Sequence, residues 1–251
     1  MNRKPGRLFT FNELIIVLSA AMLLGVLLLP THQLLRSLKE NAACSANLKQ
    51  LTVNAMNYAA DNNNMMIEYR PSTTKDVGKD NWVWNMVRQG YIQPKHLFCE
   101  TITQYTKYSL SQPAYAAELE AMDNFARGNA WKYKFISYGY NWNIGGVNYW
   151  GDYTGSAKCS EIRQPEHKVL FADAFTKEQG GAGFLGIDMR YNVWAKIHER
   201  HAGGANIVWA DGHVSFMNQP VKELQNHHTS FADATNRIRY YFYRDYSGGK
   251  Q

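Results

Sequence analysis

The chain has 251 residues but only three cysteines, Cys44, Cys99 and Cys159. None forms a Cys-x-x-Cys pair, and none stands at zinc-ligand spacing from a histidine, so sequence spacing suggests no zinc site. An odd count allows one internal disulfide and leaves one thiol over. Cys99 with Cys159 is the expected pair, since both fall in turn-rich stretches while Cys44 falls in a helical pattern. Blocks of five like charges are also missing. The net charge of +6 is spread along the sequence, which argues against a nucleic-acid partner. His198-Glu199-Arg200-His201 is one residue short of the His-Glu-x-x-His spacing that puts two histidines one helical turn apart. Asp152, Asp173 and Asp188 do not follow a calcium-loop spacing. The expectation is therefore no metal, no cofactor and no catalytic activity.

What the chain does have is one long apolar run at its start. Residues 9–29 are twenty-one positions in which the only charge is Glu13. As a helix they span about 31 Å, close to the roughly 30 Å hydrocarbon core of a bilayer. Arg3, Lys4 and Arg7 precede the run, which predicts a cytoplasmic N-terminus and an exported C-terminal bulk. Without those three the net charge falls from +6 to about +3. The run is longer than a secretory signal's apolar region, and Leu27-Leu28-Leu29-Pro30 makes a poor cleavage site. An uncleaved anchor fits these facts but leaves Glu13 unexplained, because a carboxylate deep in a membrane helix costs on the order of 3 kcal/mol and usually has a partner.

The segment Phe9-Thr10-Phe11-Asn12-Glu13-Leu14-Ile15-Ile16-Val17 resembles the N-terminus of type IV pilins and type II secretion pseudopilins. Leu8 stands where that family has glycine, and Asn12 where it has an apolar residue. The resemblance implies that a prepilin peptidase cuts between Leu8 and Phe9 and methylates the new amine of Phe9. It also implies that Glu13 meets the amine of a neighbouring subunit, and that Pro30 marks a weak point in the helix, where proline removes one hydrogen bond. Two further stretches are similar to pilin-like proteins of planctomycetes, verrucomicrobia and lentisphaerae. One is Cys44-x-x-Asn47-Leu48-Lys49-Gln50 followed by Tyr58 and Asp61-Asn62. The other is a C-terminal His-x9-Asp-Gly motif, here His201 with Asp211 and Gly212. Ser137-Tyr138-Gly139-Tyr140-Asn141 belongs to the same resemblance.

The implied fold is α+β and pilin-like, with a long N-terminal helix packed on a C-terminal antiparallel sheet. The implied organisation is a basic leader at 1–8, a transmembrane helix at 9–30, an amphipathic stalk helix at 31–62 and an exported domain at 63–251. Leu34, Leu38, Cys44, Leu48, Leu51, Ala55 and Tyr58 recur at helical spacing and predict one apolar face. Asp61 to Asn64 ends that pattern. Asn81 to Tyr91 predicts a short helix stopped by Gly90, and Gln112 to Phe125 a second helix-prone stretch. Trp131 to Asn141 and Lys168 to Ala174 predict strands.

The clearest local signal is Ala205 to Met217, two strands joined at Asp211-Gly212. A two-residue loop places Trp209 opposite Val214 and Ile207 opposite Phe216, giving one apolar face to cover the helix. His201 is expected to hydrogen-bond toward the Asp211 turn. The function implied is a structural subunit of a pilus or secretion pseudopilus. Its expected partners are the prepilin peptidase, other pilin subunits and the inner membrane, which it crosses once with its C-terminal domain in the periplasm or outside. The alternative is a membrane-tethered glycan-binding module using Trp142, Tyr149, Trp150 and Tyr153. A third reading is a tethered metal-dependent hydrolase on His198, His201 and Asp211.

Overall fold

A computed structural model of the chain describes residues 10–70, 80–99, 101, 136–147, 154–176, 185–187, 196–220 and 242, except the side chains of residues 26–33. The chain divides into two compact units, Met1–Lys39 and Glu40–Gln251, and the first helix contributes to both.

That helix, α1, runs from Phe11 to Asp61, 51 residues. Asn63 and Asn64 then take positive φ angles of 55° and 58°, a conformation asparagine tolerates better than most residues. This is why the Asp-Asn-Asn-Asn stretch stops the helix. Every described side chain of residues 11–25 is exposed, although most are apolar. Among the described residues no helix is long and apolar enough to cross a membrane. From Cys44 onward the predicted face is buried: Cys44, Leu48, Leu51 and Ala55 lie in the core and Tyr58 packs at its edge. Leu34 and Leu38 do not share that fate and remain 62% and 55% exposed.

The second helix, α2 (Trp82–Arg88), falls within the predicted stretch from Asn81 to Tyr91. The Asn81 side chain accepts the Trp84 N–H at 2.9 Å, a capping bond of the kind that starts helices. Gly90, at φ +80°, follows its end. The stretch 112–125 lies outside the described residues.

Among the described residues six strands build the sheet: β1 (Tyr138–Asn141), β2 (Val169–Phe175), β3 (Gly186–Ile187), β4 (Lys196–Ile197), β5 (Gly204–Trp209) and β6 (Val214–Asn218). Their order is β3-β1-β2-β5-β6, with β4 also pairing to β2. The expected purely antiparallel sheet is corrected here, because β3 runs parallel to β1. A two-residue strand carries no alternation to read. A Cβ on Gly139 would lie 2.8 Å from the Gly186 backbone, so glycine lets these two strands approach.

The sheet feeds two cores: side chains alternate between them along β5, while in β2 a register shift between Val169 and Phe171 puts these two on opposite faces. One face carries Tyr138, Tyr140, Phe171 and Val208 and packs with Cys44, Leu48, Leu51, Trp82 and Met86. The other carries Val169, Ala172, Ala174, Ile207 and Trp209, together with Phe242. Trp82 stands 5.6 Å from Tyr140 and 5.5 Å from Phe171, ring centre to ring centre. Its Nε1–H donates to the Leu185 carbonyl at 2.6 Å. Much of the aromatic content is therefore core.

The β5–β6 hairpin departs from the expected register. Val208 faces Val214, Ile207 faces Ser215 and Asn206 faces Phe216. The Trp209 N–H bonds the His213 carbonyl at 3.0 Å and the Gly212 N–H bonds the Trp209 carbonyl at 2.9 Å. Gly212 sits at φ +92°. These bonds describe a three-residue loop closed by a left-handed glycine, not a two-residue turn. One extra residue changes every pairing beyond it. Trp209 therefore stacks on His213, with ring centres 5.8 Å apart, while Val208 takes the helix-facing side.

Candidate functional site

The heart of strand β2 reads Val-Leu-Phe-Ala-Asp-Ala-Phe, and its one charge, Asp173, is completely buried. Opposite it in the ladder is Tyr138. A lone buried carboxylate needs compensation, and the segment after β4 supplies it. Arg200, equally buried, places Nε 3.8 Å from Asp173 Oδ1. Arg200 Nη2 also donates to the carbonyls of Ala174 at 2.6 Å and Ser137 at 3.1 Å. From β5 the backbone N–H of Asn206 donates to Asp173 Oδ2 at 2.8 Å. The Asn206 amide reaches Asp173 Oδ2 at 3.3 Å and Asn41 Oδ1 on α1 at 2.8 Å. Burial pushes the Asp173 carboxyl up, but the Arg200 charge, His201 and the Asn206 N–H outweigh it and hold it below the usual carboxylate range. Burial, reinforced by the Asp173 charge, drives the Tyr138 phenol well above its ordinary value.

His201 belongs to this cluster and not to the hairpin turn. Its Nε2 lies 3.5 Å from Asp173 Oδ2 and 3.8 Å from Cys99 Sγ. The expected bond toward Asp211 is thus corrected. The reason is local: the His201 backbone pairs with Gly204 in both directions at 3.0 Å, which turns its ring inward under β2. Asp211 instead accepts the His213 N–H at 3.0 Å and pairs with His213 Nδ1 at 2.6 Å. Across the turn, Lys49 Nζ on α1 donates to the Gly212 carbonyl at 2.7 Å.

Beside His201 is a disulfide, Cys44 to Cys99, with Cα atoms 5.6 Å apart. This corrects the expected Cys99–Cys159 pair. Cys44 shares the inward face of α1 with Leu48 and Leu51, and the 3-10 turn Pro94–Leu97 delivers Cys99 onto it. The Cys99 N–H is held by Ser137 Oγ at 2.7 Å. Cys159 is half-buried, its sulfur 3.7 Å from Met66 Sδ.

Among the other predicted residues, Glu13 caps its own helix. Its Oε2 accepts the Thr10 backbone N–H at 2.8 Å and the Thr10 hydroxyl at 2.9 Å, while the Glu13 N–H reaches Thr10 Oγ1 at 3.4 Å. This is a capping box, and its sequence signature is Thr10-x-x-Glu13. Pro30 lies within α1. Leu8 and Phe9 lie outside the described residues, as do Tyr149, Trp150 and Tyr153. Trp142 packs on Tyr69, ring centres 5.2 Å apart. The hydrolase set is not assembled, because Asp211 is occupied with His213 and His198 stacks on Phe175 at 4.5 Å.

The Cys99–His201–Asp173 order invites comparison with a nucleophile–base–carboxylate triad. In a triad the base meets its nucleophile and its carboxylate through different ring nitrogens. Here one nitrogen, Nε2, faces both, and the sulfur is bonded to Cys44. The cluster is instead a buried electrostatic junction between α1, β1, β2 and β5. Asp173, Arg200 and Asn206 are its members that sequence reasoning missed; a single Asp inside an otherwise apolar strand was the available signal. Comparisons of this chain with protein-family models, curated proteins and solved structures return no match.

Proposed function

We propose that this chain is a pilin-like subunit, held in a membrane and assembled with other subunits through α1. The observation that supports this reading is the contrast along one helix. Residues 40–61 turn Cys44, Leu48, Leu51 and Ala55 into a core. Residues 11–25 expose Phe11, Leu14, Ile15, Ile16, Val17, Leu18, Met22, Leu23 and Leu24. A helix segment that is apolar on every side belongs in lipid or among other helices. In this reading a peptidase releases the chain at Phe9, and the freed amine meets Glu13 of a neighbour.

Glu13 gives the decisive experiment. Glutamine keeps the capping box but carries no charge. Glu13→Gln should insert in the membrane normally and fail to co-assemble with wild-type subunits, as read by cross-linking. Normal co-assembly would leave Glu13 as a cap only. Mass spectrometry of the membrane-extracted chain should find Phe9 at the N-terminus; an N-terminus at Met1 in cells with an active prepilin peptidase counts against the reading. No specific observation favours the glycan-binding alternative.

A further inference from the structure

The sulfurs of Cys44 and Cys99 and one ring nitrogen of His201 all lie within 4.8 Å of one another, and all three residues are buried. Sequence spacing hides this set, because its members come from α1, the loop after the 3-10 turn and the segment before β5. We propose that this corner has a second, reduced state in which Cys44, Cys99 and His201 bind one zinc ion, so that oxidation and zinc compete for the same two sulfurs.

The geometry is close to what zinc requires. Zinc takes cysteine sulfur at about 2.3 Å and histidine nitrogen at about 2.0 Å in a tetrahedron, which sets sulfur and nitrogen roughly 3.5 Å apart. His201 Nε2 already stands 3.8 Å from Cys99 Sγ. Reduction frees the two sulfurs to separate. Asp173 Oδ2, 3.5 Å from the same nitrogen, borders the fourth position, which three-ligand zinc sites leave to water or another oxygen donor. Charge also balances: two thiolates neutralise the ion, while Asp173 keeps Arg200 as its partner. Buried charges are tolerated when they are matched in this way.

Two linked steps are involved. A dithiol reductant gives two electrons and two protons to the disulfide, yielding two cysteine thiols and the oxidised dithiol. Zinc then displaces one proton from each thiol into solvent, forming two zinc–sulfur bonds.

The test uses the purified full chain in detergent. Oxidised and dithiol-reduced samples are equilibrated with zinc, dialysed and analysed for metal. The reduced chain should hold one zinc per molecule, and the oxidised chain at least tenfold less. Cobalt in place of zinc should give the thiolate-to-metal absorption of a two-sulfur site. Cys159→Ser should bind as wild type, and His201→Gln should lose most of the metal. Because the oxidised and reduced samples are the same protein, the result does not depend on any variant folding. Equal metal in both redox states, or loss of the metal in Cys159→Ser, overturns the proposal.

Discussion

His201 Nε2 lies 3.5 Å from Asp173 Oδ2, twenty-eight positions back along the chain, and both side chains are almost wholly shut from water. The histidine of the His-x9-Asp-Gly motif thus serves the strand before it, while the Asp-Gly part serves the turn after it. Its two halves grip the molecule at different points, Asn206 reaching Asn41 and Gly212 accepting from Lys49, both on α1.

Removing the Asp173 charge leaves Arg200 buried with one partner fewer. Breaking such a pair typically costs about 3–5 kcal/mol. Asp173→Asn should therefore lower the melting temperature by roughly 6–20 °C for a chain of this size. A thermal melt followed by circular dichroism measures it, and a change under 2 °C would show that the carboxylate matters little.

The disulfide closes a loop of 55 residues. On the chain-entropy account that constraint contributes about 4 kcal/mol. Cys99→Ser should show a loss of that order in denaturant unfolding with a metal chelator present. Adding a reductant to wild type under the same conditions should give a similar loss, while Cys159→Ser should change little.

Acid should weaken the fold before pH 4 is reached. Burial, helped by the Arg200 charge, pushes His198 down to about 4. An unfolded histidine takes its proton near 6.5. Between these values the unfolded chain binds a proton that the folded one refuses. The stabilisation is whole above about pH 6.5 and fades as the pH falls toward 4. Allowing for solvent around this partly exposed ring, the loss is about 1–2 kcal/mol. Asp173 adds a second loss at lower pH, as protons reach a carboxylate held below its usual range. Chemical unfolding at pH 7 and pH 4.5 should differ accordingly, and His198→Gln should flatten that difference.

Gly212→Ala isolates backbone strain. A Cβ there would meet nothing nearer than Thr52 Cγ2 at 3.7 Å, yet φ is +92°. The left-handed region costs an ordinary residue about 1–2 kcal/mol. Stability should fall by that amount without loss of secondary structure. A neutral substitution would mean that the loop relaxes to another turn.

Much of this architecture was legible in the sequence. The inward face from Cys44 to Tyr58, a short helix within Asn81 to Tyr91 and the β2 strand follow from spacing and the glycine stop. The hairpin was found but misregistered, because Asp-Gly fits both a two-residue turn and the end of a three-residue loop. The disulfide differs from the expected pair because a helical cysteine can still be bridged when, like Cys44, it lies on the buried side of its helix. The junction around Asp173 was invisible because its members are gathered only by the packing of β2, β5 and α1. Glu13 carries both a charge and a Thr-x-x-Glu capping signature, and the second is what the structure uses.

The Cys44–Cys99 bond has a mechanical consequence. Tension applied from the N-terminal side of α1 reaches Cys44 before Leu48 or Leu51. Part of that load passes through sulfur directly to the 3-10 turn, so the helix cannot be peeled away turn by turn from that side. Its remaining turns are shielded for as long as the covalent tie holds, and a thiol reductant should convert a tether that resists traction into one that unravels.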